Sequence, residues 1–278
     1  MTVLRIGHSP DADDAFMLYA LVTGKVAIEG FEIEQVLEEL ESLNQRALRG
    51  ELEITAISAA AYPQMADKYR LMACGASVGR NYGPIVISRA ILSADDMGGK
   101  RIAIPGEYTT AYLLLRIYLD RPFIPVLLRF DEITEAVRIG RVDAGLIIHE
   151  GEITLEAQGY TKVLDLGKTW GEDTGLPIPL GLDVVHRRLS DGTTRRVKDA
   201  FETSIRYAIA HEEEAIEYAL PFGRGVDRDT CRRFVRMYVN QDTVNMGEEG
   251  RRALETLYQR AYERGLTAGV PPLDIVGL

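Results

Sequence analysis

The pattern that most constrains this chain is an alternation of strand-length and helix-length apolar segments, run through twice. Leu4-Arg5-Ile6-Gly7-His8 has the length and character of a strand. The turn Ser9-Pro10-Asp11-Ala12-Asp13-Asp14 follows, and residues 15–22 then place Phe16, Tyr19 and Ala20 at helical spacing before Gly24. Residues 31–37 alternate as a second strand, and 41–49 form a short helix stopped by Gly50. Residues 52–57 form a third strand that leads into Ser58 and the small-residue stretch Ala59-Ala60-Ala61-Tyr62. The order then recurs. A strand at 101–106 meets the hydroxyl-rich turn Glu107-Tyr108-Thr109-Thr110, and a helix covers 111–119. A strand at 126–130, a helix at 133–139 stopped by Gly140, and a strand ending in Ile147-Ile148-His149-Glu150 complete the second unit. Residue identity between the halves is slight, so the repeat is one of architecture.

Such alternation predicts α/β units with parallel sheets. Two extended, Gly/Pro-punctuated segments can join them: 83–89 leads out of the first unit and 177–185 leads back. Helices are expected at 194–219, 229–240 and 248–264, and with no strand expected after them they must pack on the first unit. The predicted fold is therefore α/β with two lobes joined by a double-crossing hinge. The larger lobe takes 1–88 and 183–278, the smaller takes 89–182, and a ligand cleft lies between them.

The chain is long enough, at 278 residues, for two modest lobes with a sizeable core. A formal charge of −10 argues against nucleic acid or an anionic membrane as partner, and leaves a small molecule. Cys74 and Cys231 form no CxxC pair, and the four histidines show no zinc-ligand spacing, so no metal is expected. Cys74 reads as a buried, inert thiol. The N-terminus enters a strand at once, with no secretory pattern, and no run approaches the ~18 apolar residues of a membrane helix. A cytoplasmic location is the expectation.

Within this frame a few polar residues stand where ligands gather. In open α/β sheets that place is outside the carboxyl ends of strands. His149 ends a strand buried on both faces, and its imidazole can exchange a proton near neutral pH. It can equally cap a backbone carbonyl there. Turns at helix starts offer outward N–H groups, and three are visible: 9–14, Ala56-Ile57-Ser58, and 106–110. Ser9 and the aspartates of the first turn either cap their helix or touch a ligand, and Asp11, Asp13 and Asp14 would repel an anion. Thr109 and Thr110 cannot both serve as one cap, so one hydroxyl is expected to face the cleft, and Gly106 permits close backbone approach. Ser58 is balanced between cap and ligand contact. His8 is a rival to His149 in a crowded turn. His186, His211 and Arg80 read as solvated, and Trp170 as packing at a lobe edge.

Taken in order, several segments resemble a known family: Arg5-Ile6-Gly7-His8-Ser9-Pro10, Leu43-Asn44-Gln45-Arg46-Ala47-Leu48 and Ile57-Ser58-Ala59-Ala60-Ala61-Tyr62. Pro105-Gly106 leading to Thr109-Thr110-Ala111-Tyr112, Ala144-Gly145-Leu146-Ile147-Ile148-His149-Glu150 and Thr174-Gly175-Leu176-Pro177-Ile178-Pro179-Leu180-Gly181 continue the match, which extends to Gly247-Glu248-Glu249-Gly250. The set is similar to the 1,4-dihydroxy-6-naphthoate synthases of the futalosine route to menaquinone. That resemblance implies a type II periplasmic-binding-protein-like fold and a carbon–carbon lyase. The reaction it implies splits cyclic dehypoxanthine futalosine into 1,4-dihydroxy-6-naphthoate and a sugar-derived fragment, without metal or organic cofactor. It implies His149 as the proton acceptor, and Ala56, Ile57, Ser58, Thr109 and Thr110 as substrate contacts. The chain departs from the family at its first turn, commonly Ser-Pro-Cys-Pro-Asn-Asp-Thr-Phe, where Asp13 replaces an amide and Ala15 a hydroxyl. The alternatives are a divergent paralogue with a related substrate, or a cytoplasmic binding protein for a small carboxylate or aromatic anion. The sister enzyme that dehydrates chorismate fits the Thr109-Thr110 and 146–150 segments less well.

Overall fold

A computed structural model describes residues 2–90, 93–148 and 158–278. The first unit runs β1 (Thr2–His8), α1 (Ala12–Val22), β2 (Phe31–Leu37), α2 (Leu40–Leu48) and β3 (Ile54–Ser58). A short 3-10 helix (Ala59–Gln64), β4 (Tyr69–Met72) and β5 (Ser77–Gly79) follow. β1 lies between β2 and β3, parallel to both, as the sequence pattern requires. Each of the five residues of β3 is buried, which is why that run carries no alternation.

The chain then crosses to a second sheet. β6 (Ile85–Ser88), β7 (Arg101–Ile104), α3 (Thr110–Tyr118), β8 (Ile124–Leu127), α4 (Ile133–Arg138), β9 (Ala144–Ile147), β10 (Thr161–Asp165) and α5 (Leu166–Thr174) form the second unit. The return is β11 (Ile178–His186), and α6 (Asp191–Ala210), α7 (Glu212–Ala219), α8 (Arg228–Tyr238), α9 (Gln241–Val244), α10 (Gly247–Glu263) and β12 (Ile275–Val276) end the chain. The first sheet is ordered β12-β4-β11-β3-β1-β2, with β5 also on β11, and the second β10-β6-β9-β7-β8.

Several sequence expectations change in detail. Both hinge segments are sheet strands: β6 bonds antiparallel to β9 and β10, and β11 lies antiparallel to β3, β4 and β5. Sheet membership therefore changes between Gly79 and Ile85 and again between Asp165 and Ile178. Residues 85–88, assigned above to the larger lobe, pair in the second sheet, and 178–182, assigned to the smaller lobe, pair in the first. The expected helix at 194–219 is two helices broken at His211, where φ −121° and ψ 46° leave the helical region without a Gly or Pro to announce it. A strand does follow the C-terminal helices, but β12 joins β4 instead of founding a sheet.

Two large clusters make the core. One packs α1, α6, α7 and α8 on the first sheet, around Leu4, Ile6, Phe16, Phe201 and Phe234. The other runs between the lobes, joining Tyr62, Leu114, Trp170, Ile178 and Tyr258. Trp170 is not at an edge: it is fully buried, and its indole N–H donates to Pro177 O at 3.0 Å, bracing the second crossing.

Candidate functional site

A cleft of about 930 Å³, counted out to its solvent mouth, opens between the sheets. Its walls come from the carboxyl ends of β1 and β3, the N-terminal turns of α1 and α3, and β11. Ala56, Ile57, Ser58, Thr109 and Thr110 all line it, so the helix-start turns singled out in the sequence converge on one space. Ile148 lines it too. His149, the next residue, lies outside the described residues.

Ser58 is held from both sides by Asn44 of α2. Its N–H donates to Asn44 Oδ1 at 2.8 Å, and its hydroxyl accepts from Asn44 Nδ2 at 3.1 Å. The backbone donor expected of Ser58 is thus already used, while its hydroxyl proton has no acceptor among the described residues. The two threonines divide their work differently from the expectation. Thr109 caps α3, accepting from Tyr112 N–H, and donates to Gly106 O at 2.9 Å. Thr110 spans the lobes, donating to Leu180 O at 2.7 Å and accepting from Ala60 N–H at 3.1 Å. Neither hydroxyl is an uncommitted donor. The N–H groups of Thr110 and Ala111, in the open first turn of α3, have no acceptor among the described residues.

Gly106 does permit close approach, but to a protein group. A Cβ there would lie 2.3 Å from Glu41 Oε2, which also accepts from Tyr108 N–H at 3.2 Å. Burial raises the Glu41 pKa, and the bonds from Tyr108, Asn44 and Gln45 oppose the rise. A chain of hydrogen bonds thus runs from the 106–110 turn through Glu41 and Asn44 to Ser58. Further ties cross the cleft: Arg129 pairs with Glu39 at 2.8 Å, and Arg224, bonded to Asp11, lies 4.3 Å from the Phe130 ring centre.

The first turn is in the wall as well. Ser9, Asp11, Asp13 and Asp14 line the cleft, and Asp14 Oδ2 accepts from Ser9 N–H at 2.8 Å. Burial, then repulsion from Asp13, Asp183 and Asp11, holds the Asp14 pKa well above the usual carboxylate range. Asp183 of β11 is pushed up to about 7 by burial. Asp183 is not among the residues that the sequence pattern singles out, and Asn44 stands there only within a motif. The signal for Asp183 was a charge inside Leu182-Asp183-Val184-Val185, an otherwise apolar strand.

The remaining candidates lie elsewhere. His8 is buried outside the cleft, its Nδ1 3.0 Å from Ser9 O and its Nε2 3.1 Å from Gln35, and burial lowers its pKa. Arg80 is ion-paired with Asp242 and Glu249. His211 stacks on Tyr207, and His186 packs edge-on against Tyr69. Cys74 is buried and its thiol is pushed up to about 12, chiefly by burial, which suits an inert role. Among the described residues no His, Cys, Asp and Glu side chains are grouped to hold a metal ion, and no helix is long and apolar enough to cross a membrane.

Comparison with known proteins agrees with this architecture. A protein from Thermus thermophilus named 1,4-dihydroxy-6-naphtoate synthase is 43% identical over 271 residues, 98% of each chain. A crystal structure of a protein from Archaeoglobus fulgidus superposes with a TM-score of 0.91 at 48% identity, covering 95% of this chain and 98% of that one. The alkanesulfonate-binding protein SsuA from Xanthomonas axonopodis, bound to MOPS, matches at a TM-score of 0.72 and 16% identity, over 99% and 98% of the two chains. The last likeness is one of fold, and the fold is that of the periplasmic binding proteins, as expected. A sequence profile described as menaquinone biosynthesis matches residues 4–263, and the chain belongs to that family.

Proposed function

We propose that this chain is a carbon–carbon lyase that converts cyclic dehypoxanthine futalosine to 1,4-dihydroxy-6-naphthoate and a sugar-derived fragment, acting in the cytoplasm without metal or organic cofactor. The observation that carries this reading is the extent of the family match. Residues 4–263 include every residue of the cleft wall, from Ser9 to Tyr238, and the 43% identical synthase spans 98% of the chain.

In this reading neutral His149 removes a proton from the cyclised substrate, and the electron pair left behind drives C–C cleavage and aromatisation of the naphthoate. It follows Ile148, which lines the cleft. The gain in aromaticity favours products, so the protein supplies positioning, a base and donors for developing negative charge. The Ser58 hydroxyl and the N–H groups of Thr110 and Ala111 suit the carboxylate of the substrate, while the side chains of Thr109 and Thr110 fix the wall that presents them. Incubating purified protein with cyclic dehypoxanthine futalosine, and following the naphthoate by absorbance and mass, tests the assignment. Catalytic formation of naphthoate is expected. Its absence, with tight binding of some other anion, would replace the lyase with a binding protein.

A further inference from the structure

Glu41 stands at the start of α2, in the lobe of the first sheet, and its carboxyl reaches the turn that opens α3 in the other lobe. There Oε2 accepts from Tyr108 N–H at 3.2 Å. The same oxygen lies 3.5 Å from Nδ2 of Asn44, one turn along α2, and Oε1 lies 3.4 Å from Gln45 Nε2. Leu40 lines the cleft and Glu41 does not. The carboxyl is therefore behind the wall, between the two places assigned above to the substrate carboxylate.

On one side it acts through Asn44. The Asn44 amide accepts from Ser58 N–H at Oδ1, and its Nδ2 donates to Ser58 Oγ with Glu41 Oε2 as its second neighbour. A flipped amide would set Nδ2 against the Ser58 N–H and Oδ1 against Glu41, so one orientation is fixed. Ser58 Oγ then accepts from Asn44, which leaves the hydroxyl proton for another acceptor. On the other side the carboxyl holds the turn itself. A Cβ at Gly106 would meet three atoms of the Glu41 side chain, at 2.3, 2.7 and 2.9 Å. Gly106 is not in the left-handed region, so the glycine supplies room for Glu41 and no special backbone. Thr109 donates to Gly106 O and caps α3, so the place of the turn fixes the first N–H groups of the helix.

We propose that Glu41 is a positioning residue that joins Ser58, through Asn44, to the first turn of α3, through Tyr108 and Gly106. It holds the two halves of the carboxylate site, one on each lobe, at a single spacing. A carboxylate meets donors on both lobes only when that spacing is right, and fixing it in advance spares the substrate the cost of ordering the walls. The role asks of residue 41 an acceptor at the right reach, and no charge. It rests on the lyase reading, which puts the substrate carboxylate at Ser58 and the first turn of α3.

The test compares wild type, Glu41→Ala, Glu41→Gln and Gly106→Ala. Each is titrated anaerobically with 1,4-dihydroxy-6-naphthoate and with 1,4-dihydroxynaphthalene, which differ by the carboxylate alone, and assayed with cyclic dehypoxanthine futalosine. Glu41→Ala removes the brace, and Gly106→Ala displaces it from a second position. Both should raise the naphthoate Kd and the KM about tenfold, the scale of one hydrogen bond to a charged group, with kcat changed less. The Kd for the diol should not change, and its constancy also shows that the cleft has folded. Glu41→Gln keeps the acceptor for Tyr108 and should stay within about twofold of wild type. Wild-type naphthoate affinity in Glu41→Ala or Gly106→Ala, equal losses for both ligands, or Glu41→Gln as weak as Glu41→Ala overturns the brace while leaving the lyase reading in place. If wild type forms no naphthoate, the lyase reading fails, and 2-naphthoate against 2-naphthol still decides the brace. A loss in Glu41→Ala confined to 2-naphthoate supports it, and 2-naphthoate binding no better to wild type than to Glu41→Ala overturns it.

Discussion

Replacing Asp183 with asparagine should stabilise the ligand-free protein, and only above acidic pH. A carboxyl whose pKa rises from 3.8 to about 7 on burial has its ionised form disfavoured by about 4 kcal/mol. Between those pH values the folded state binds more protons than the unfolded state. The stability linked to this group is therefore complete below about pH 4, declines as pH rises, and is lost above about pH 7. Asparagine is the same size and stays neutral throughout. The variant should match wild type near pH 4 and exceed it at pH 8, by at most about 4 kcal/mol. Urea unfolding of both proteins across that range measures the difference directly; titrating groups that Asp183 does not touch cancel, and relief of its repulsion on Asp14 adds in the same direction. A flat difference, or a less stable variant at pH 8, would mean that Asp183 is ionised and well held in the folded protein. Burial would then not be what sets the charge of Asp183.

Two further substitutions probe how the wall is held. Asn44→Ala strands the buried Ser58 N–H and should cost about 1–3 kcal/mol in urea unfolding, with a fall in kcat/KM that Asn44→Asp, which restores the acceptor, partly reverses. Thr110→Val keeps the shape but removes the bonds to Leu180 O and Ala60 N–H, at a cost of about 1–3 kcal/mol, whereas Thr110→Ser should stay near wild type in both stability and KM.

The fold was legible where periodicity decides it. Alternating β2, the largely apolar run of β3 and the Gly50 stop all read directly as elements of an α/β unit. What local pattern could not show was partnership. β6 and β11 look like linkers in sequence, because Gly and Pro punctuate them, yet their backbone groups find ladder partners in different sheets. The site divides in the same way. That Ser58, Thr109 and Thr110 meet in one cleft followed from their places at strand and helix ends. That Asn44 uses the Ser58 N–H, and that Thr110 ties Leu180 to Ala60, depends on contacts between residues 14, 50 and 70 positions apart. Asp13 and Asp14 are legible as part of a turn, but that Asp183, some 170 positions on, comes near enough to repel Asp14 depends on tertiary packing.

The central claim is that this cleft cleaves its substrate through a histidine base at position 149. Its most direct test is the rate of naphthoate formation from cyclic dehypoxanthine futalosine by wild type and His149→Ala, measured side by side. Wild type should turn over, and the variant should lose about 100-fold or more in kcat, the range of general-base catalysis, with KM little changed. Near wild-type turnover by His149→Ala would contradict the account.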